Sequence, residues 1–108
     1  MSKRSMHEAT FMVLTALAGG SQHGYGIITD VTELSAGQVQ LKAGTLYTAL
    51  DRLRTEGLVE VDREEVVDGR LRRYYRLTPD GSRTLAAEAA RLRSHATVAL
   101  GRLGLNGA

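Results

Sequence analysis

The chain has 108 residues, enough for one domain around a single core and too few for two. It has no cysteine, which excludes disulfides and thiolate-held metals and fits a reducing, cytoplasmic setting, and no apolar run reaches the ~18 residues of a membrane span. The formal net charge is only +2, so a case for a polyanionic partner must rest on local arrangement rather than on global bias.

The opening stretch MSKRSMHEAT lacks the unbroken apolar region of a signal peptide. From Glu8 to Ala18, residues Phe11, Leu14, Leu17 and Ala18 recur at helical spacing, and Gly19-Gly20-Ser21 ends that helix. Ile27, Ile28, Val31 and Leu34 predict a second helix from Gly24 or Tyr25 to Leu34, closed by Ser35-Ala36-Gly37. The Gly24-x-Gly26 pair has no strand before it and no third glycine. It reads as two small residues permitting a tight helix start rather than as a phosphate-cradling loop. Gln38 to Leu41 alternates and predicts one small strand. A third helix takes Gly44 to Thr55, with Leu46, Leu50 and Leu53 on one face and Gly57 placed to stop it.

Leu58 to Val66 alternates as a strand, Asp68-Gly69 is a two-residue hairpin signal, and Arg70 to Leu77 is the return strand. Thr78-Pro79 reads as an N-cap followed by proline at the first helical position. A long helix then runs to about Leu103, and the tail GLNGA is expected to fray. The element order gives a mainly α chain with a small β-hairpin wing (α+β). It is a winged helix-turn-helix over residues 1–78 followed by a long dimerisation helix over 79–108, in one compact unit.

Opposite the leucines of the third helix lie Thr45, Thr48, Arg52 and Thr55, with Asp51 nearby. Hydroxyls, a guanidinium fork and threonine methyls are the groups that read base edges in a major groove, although a plain solvated face has the same composition. Tyr47 lies on the flank, where it either packs between helices or offers its hydroxyl to a phosphate. The return strand carries four arginines in seven residues. Strand alternation puts Leu71, Arg73, Tyr75 and Leu77 on one face and Arg70, Arg72, Tyr74 and Arg76 on the other. Guanidiniums match phosphate geometry. The facing strand, however, offers Glu60, Asp62, Glu64 and Glu65, so cross-strand pairing competes for the same arginines.

In the last helix, Leu85, Ala89, Leu92, Ala96, Ala99 and Leu103 follow a 4, 3, 4, 3, 4 spacing, a heptad seam. Part of this stripe can pack on the first helix. A helix of ~25 residues spans roughly 37 Å, more than one small domain covers, so a second copy is expected to bury the excess and form a twofold homodimer. His7, His23 and His95 show no i, i+3 or i, i+4 pair, and there is no serine elbow or cysteine nucleophile. No metal, no cofactor and no enzymatic activity are expected.

Three blocks, HGYGIITDV, GTLYTALDRLRTEGLVE and GRLRRYYRLTPDG, resemble the signature blocks of the PadR family of bacterial transcriptional regulators, in the family's order and spacing, over roughly Met6 to Leu92. The single helix after the wing is similar to the family's smaller subgroup. The resemblance implies a repressor that binds double-stranded operator DNA as a homodimer, with Gly44, Thr45, Tyr47 and the wing arginines facing the duplex. The candidate DNA contacts are Lys42, Gly44, Thr45, Tyr47, Thr48, Arg52, Arg70, Arg72, Arg73 and Tyr74. Thr48 stands where many members have proline, which leaves the preferred DNA sequence open. Family analogy also suggests a small apolar or aromatic effector near the dimer interface, although no tryptophan is present to stack on one. A winged-helix protein-interaction module, docking a partner through the long helix, is the alternative that the near-neutral charge favours.

Overall fold

A computed structural model describes residues 6–105; Lys3, Arg4 and residues 106–108 of the tail expected to fray lie outside them. The elements are α1 (Glu8–Ala18), β1 (Gln22–His23), α2 (Gly24–Leu34), α3 (Ala43–Thr55), β2 (Val59–Val67), β3 (Arg70–Leu77) and α4 (Pro79–Leu103). The 3.6-residue spacing of apolar positions turns Val13, Leu14 and Leu17 of α1, Ile27 and Val31 of α2, and Leu46, Leu50 and Leu53 of α3 towards one another. Val59 and Tyr75 close the cluster from the sheet side. Each such aliphatic side chain, fully buried, contributes on the order of 1.5–3 kcal/mol. This interlocking of three helices fixes the angle at which α3 is presented.

Between α2 and α3, the strand expected at Gln38–Leu41 does not form. Ser35 explains why. Its hydroxyl accepts from the Val39 amide at 2.9 Å and lies 3.3 Å from the Val39 carbonyl, so a side chain supplies what a strand partner would have. Val39 itself is buried. The third strand comes instead from Gln22–His23, which pairs antiparallel with Tyr75 and Tyr74, giving the sheet order β1-β3-β2.

Asp68 and Gly69 both have positive φ, 51° and 76°, as a tight hairpin turn matching the strand twist requires. Pairing runs from Val67↔Arg70 down to Val59↔Leu77 and shifts once, between Val61 and Arg63, so Asp62 sits in a bulge. The hairpin extends beyond the helices. Tyr75 on its inner face is therefore buried, whereas Leu71 on the same face is exposed.

Thr78 fixes the start of α4. Its hydroxyl accepts from the Gly81 amide at 3.0 Å and donates to the Gly57 carbonyl at 2.6 Å. Gly81 passes against the Leu58 carbonyl group, where no Cβ fits. Leu85 packs on the core and Ala89 is half-buried, but every described residue from Leu92 onward is exposed. The expected seam is thus divided: its first two members are covered by their own chain, and Leu92, Ala96, Ala99 and Leu103 project free of it.

Candidate nucleic-acid interface

The first turn of α3 is open to solvent. Its N-cap is Lys42, which makes no side-chain cap, so the first amides of the helix have no partner from a capping side chain. Gly44, Thr45, Tyr47 and Thr48 are all exposed. A Cβ on Gly44 would meet no atom within 4 Å. A glycine inside a helix costs about 1 kcal/mol relative to alanine, and here nothing within the chain requires one.

Tyr47 packs between helices. Its ring lies over Gly24 at the start of α2, and a Cβ there would strike the Tyr47 hydroxyl and approach Cζ to 2.8 Å. Gly24 is therefore needed for the close approach of Tyr47, a reason beyond the tight helix start read from the sequence. The tyrosine is still 46% exposed, which leaves one side of the ring turned outward.

Arg52 does not join this surface. Its Nη2 donates to the Thr10 hydroxyl of α1 at 2.9 Å, and its Nη1 lies 3.7 Å from Glu56. The helical wheel placed Arg52 correctly on the outer face, but the long side chain folds back to satisfy a buried hydroxyl, so the expected base-reading fork is a strut between α1 and α3.

The competition for the wing arginines divides them. Arg73 Nε is 2.8 Å from Glu64, and Arg76 is held by Glu60 at 2.9 Å and Asp62 at 2.7 Å. Arg63 pairs with Glu65 at 2.9 Å and Asp62 at 3.1 Å. Glu64 raises the pKa of Arg73, and Glu60 that of Arg76. Asp62 is held below the usual carboxylate range, first by the Ser21 hydroxyl that donates to it at 2.7 Å and then by Arg76 and Arg63. Arg70 and Arg72 make no ion pair among the described residues. Of the expected contacts, Arg73 is thus tied to a cross-strand carboxylate, while Arg70 and Arg72 are not.

Tyr74 is an anchor rather than a free side chain. The Arg63 guanidinium sits 3.9 Å above its ring, and the His23 ring meets it edge-on with centroids 5.3 Å apart. His23 in turn caps α2, its Nδ1 accepting from the Gly26 amide at 3.3 Å. Burial, and then the neighbouring Arg72, push its pKa down, so the neutral ring that can accept this bond is favoured. Neither β1 nor this clamp is apparent from periodicity. The histidine directly before a glycine-rich helix start was the only signal for it.

The wing, the start of α2 and α3 enclose an open groove of about 610 Å³ whose lining includes Tyr25, Tyr47, Arg70, Leu71 and Arg72. The structure therefore brings Tyr47, the unpaired Arg70 and Arg72, and the carboxylate-paired Arg73 together across one groove and leaves Arg52 out of it. No group of metal-ligating side chains occurs among the described residues, and no described helix is long and apolar enough to cross a membrane.

Three interlocked helices, a bulged hairpin and an exposed third-helix face define a winged helix-turn-helix protein. The sequence profile described as "Transcriptional regulator PadR-like family" matches residues 13–87. The chain belongs to that family, whose members are transcriptional regulators and not enzymes. It is 44% identical over 69 residues to the transcriptional regulator Rv3488 of Mycobacterium tuberculosis, a stretch that covers 64% of each chain. Among solved structures, a PadR family transcription regulator from Clostridium difficile shares the fold with a TM-score of 0.74 at 23% identity, over 90% of this chain and 98% of that one. Bacillus subtilis PadR in complex with operator DNA matches with a TM-score of 0.67 at 23% identity, over 75% of this chain and 46% of that one.

Proposed function

We propose that two copies of this chain bind a roughly palindromic operator and repress transcription from it in the cytoplasm. The first half of α3 enters the major groove with Lys42, Gly44, Thr45 and Thr48 foremost, and Arg70 and Arg72 of each wing take flanking phosphates. The observation that carries this reading is the segregation of charge in the wing. Arg63, Arg73 and Arg76 have carboxylate partners, while Arg70 and Arg72, the wing arginines without one, line the same groove as Tyr47, beside the paired Arg73. Guanidiniums on a concave surface beside a polar helix face suit a duplex backbone. The complex of Bacillus subtilis PadR with operator DNA supports the same use of this fold.

The outer half of α4 supports dimerisation. Leu92 and Leu100 are each 41% exposed and Leu103 70%, aligned with Ala96 and Ala99. A stripe of this kind is buried by a second copy running alongside it, which sets two α3 helices about one turn of DNA apart. A small apolar or aromatic effector lodged between the paired α4 helices would change that separation and relieve repression.

The test is a titration of labelled duplex from upstream of the chain's own gene and its neighbours, against scrambled competitor, at 50 and 200 mM salt. Engagement of six to ten phosphates weakens binding about 10³–10⁵-fold across that range. A flat salt response, or equal affinity for the scrambled duplex, removes the proposal. Calorimetry against phenolic acids and planar cations tests the effector, and silence from all of them removes it.

A further inference from the structure

Two apolar side chains near the wing tip lie where nothing in the fold covers them. Val66 and Leu71 face each other across the hairpin, one pair in from the Val67↔Arg70 pair that closes it. They are 73% and 62% exposed. Strand alternation puts them on the face that carries Tyr75 into the core, but at the tip that face has run past the helices. The strand does not need them for its own sake, because threonine has comparable β-propensity without the exposed apolar surface.

Their surroundings indicate what covers them. Leu71 is flanked in sequence by Arg70 and Arg72, the wing arginines without ion pairs among the described residues; their side chains leave the opposite face of the strand, and all three residues line the same groove as Tyr47. Guanidiniums and an apolar side chain that line one groove suit a partner offering phosphates along its edges and apolar base faces where its stacking opens. A nucleic-acid duplex is such a partner, with phosphates along both edges of its groove and apolar base faces accessible at an unstacked step.

We infer that Val66 and Leu71 form a wedge that the wing presses into the minor groove, against or between stacked base pairs, while Arg70 and Arg72, from the other face of β3, hold the phosphate backbone. This inference rests on the DNA-binding reading and adds a mode of sequence selection to it. Apolar wedges of this kind unstack a step and kink the duplex by about 20–90°, and pyrimidine–purine steps such as TA yield most easily. The wing thereby selects a deformable step that no hydrogen bond reads.

The experiment compares the wild-type protein with the double variant Val66→Thr, Leu71→Thr. This change keeps every charge and the strand propensity, and both positions are exposed, so the melting temperature serves as the control for folding. A duplex labelled at both ends reports bending by energy transfer. Operator duplexes with TA or GC at the step under the wing report selection, and a salt series reports phosphate contacts. The wild-type protein is expected to bend the duplex and prefer the TA version. The variant is expected to lose most of the bend and the preference and to bind at least about tenfold more weakly, since a single buried leucine-sized contact already gives that much and the dimer has two wings, at an unchanged salt slope. A variant that bends and discriminates like wild type overturns the wedge, and so does a wild-type protein that binds without bending. A wild-type protein that binds no duplex at any salt overturns the DNA-binding reading itself, which is a distinct result.

Discussion

The division of the wing arginines into paired and unpaired sets makes a quantitative prediction. Arg70→Ala with Arg72→Ala removes two guanidiniums that make no ion pair among the described residues. In a dimer that is four phosphate contacts at ~0.9 each, so the slope of log affinity against log salt becomes shallower by about 3.6. Between 50 and 200 mM salt the variant then loses roughly 150-fold less affinity than wild type. Arg73→Ala with Arg76→Ala deletes the same formal charge. Those side chains are, however, held at 2.8 Å by Glu64, at 2.9 Å by Glu60 and at 2.7 Å by Asp62, so they hold few counterion-releasing contacts in reserve. That variant weakens binding through the carboxylates it frees, but its slope moves by less than about one unit. Fluorescence anisotropy with a labelled operator at five salt concentrations measures both slopes. Equal changes in the two variants would refute the division of roles.

Three further outcomes are expected. Gly81→Ala places a Cβ against the Leu58 carbonyl group, 3.0 Å from its carbon, and backbone cannot yield as a side chain does; overpacking of about 1–3 kcal/mol outweighs the helix-propensity gain, and the melting temperature falls by roughly 4–8 °C. An unchanged melting temperature would count against the close contact. Leu92→Asp with Leu103→Asp puts charge on the exposed α4 stripe, and light scattering should report half the wild-type mass with the circular dichroism spectrum preserved. Asp62 has a lowered folded-state pKa, so its stabilisation is complete above the ordinary aspartate value and drains as pH falls through the lowered one. Ser21→Ala removes the largest cause of that lowering, and the loss of melting temperature between about pH 5 and 3 should become shallower than in wild type.

The parts of this fold that could be read from sequence are those fixed by periodicity and by turn chemistry. The leucines of α3 at i, i+4 and i+7 gave the buried face. Asp68-Gly69 gave the hairpin, Thr78-Pro79 gave the start of α4, and Gly57 gave the end of α3 with its positive φ of 78°. What could not be read depends on partners distant in the chain. Gln22–His23 is too short to show alternation and is a strand only because β3 runs beside it. Gln38–Leu41 alternates yet forms none, because a serine four residues upstream holds the backbone. On the site, strand parity separated the two arginine faces correctly. The bulge at Asp62 is invisible to parity, and it decides which acids reach Arg76 and which arginines remain unpaired. Arg52 illustrates the same limit: a wheel gives the direction of a Cβ, not where a long side chain ends.

The pairing of Arg63, Arg73 and Arg76 within the hairpin has a consequence for how such a protein finds its target. A wing with five free guanidiniums would cling to any duplex, and most copies would sit on irrelevant stretches of chromosome. Self-neutralisation leaves two per copy, so on the DNA-binding reading indiscriminate attachment is weak and the search is fast. A modest cellular supply of the regulator is then enough to keep its operator occupied.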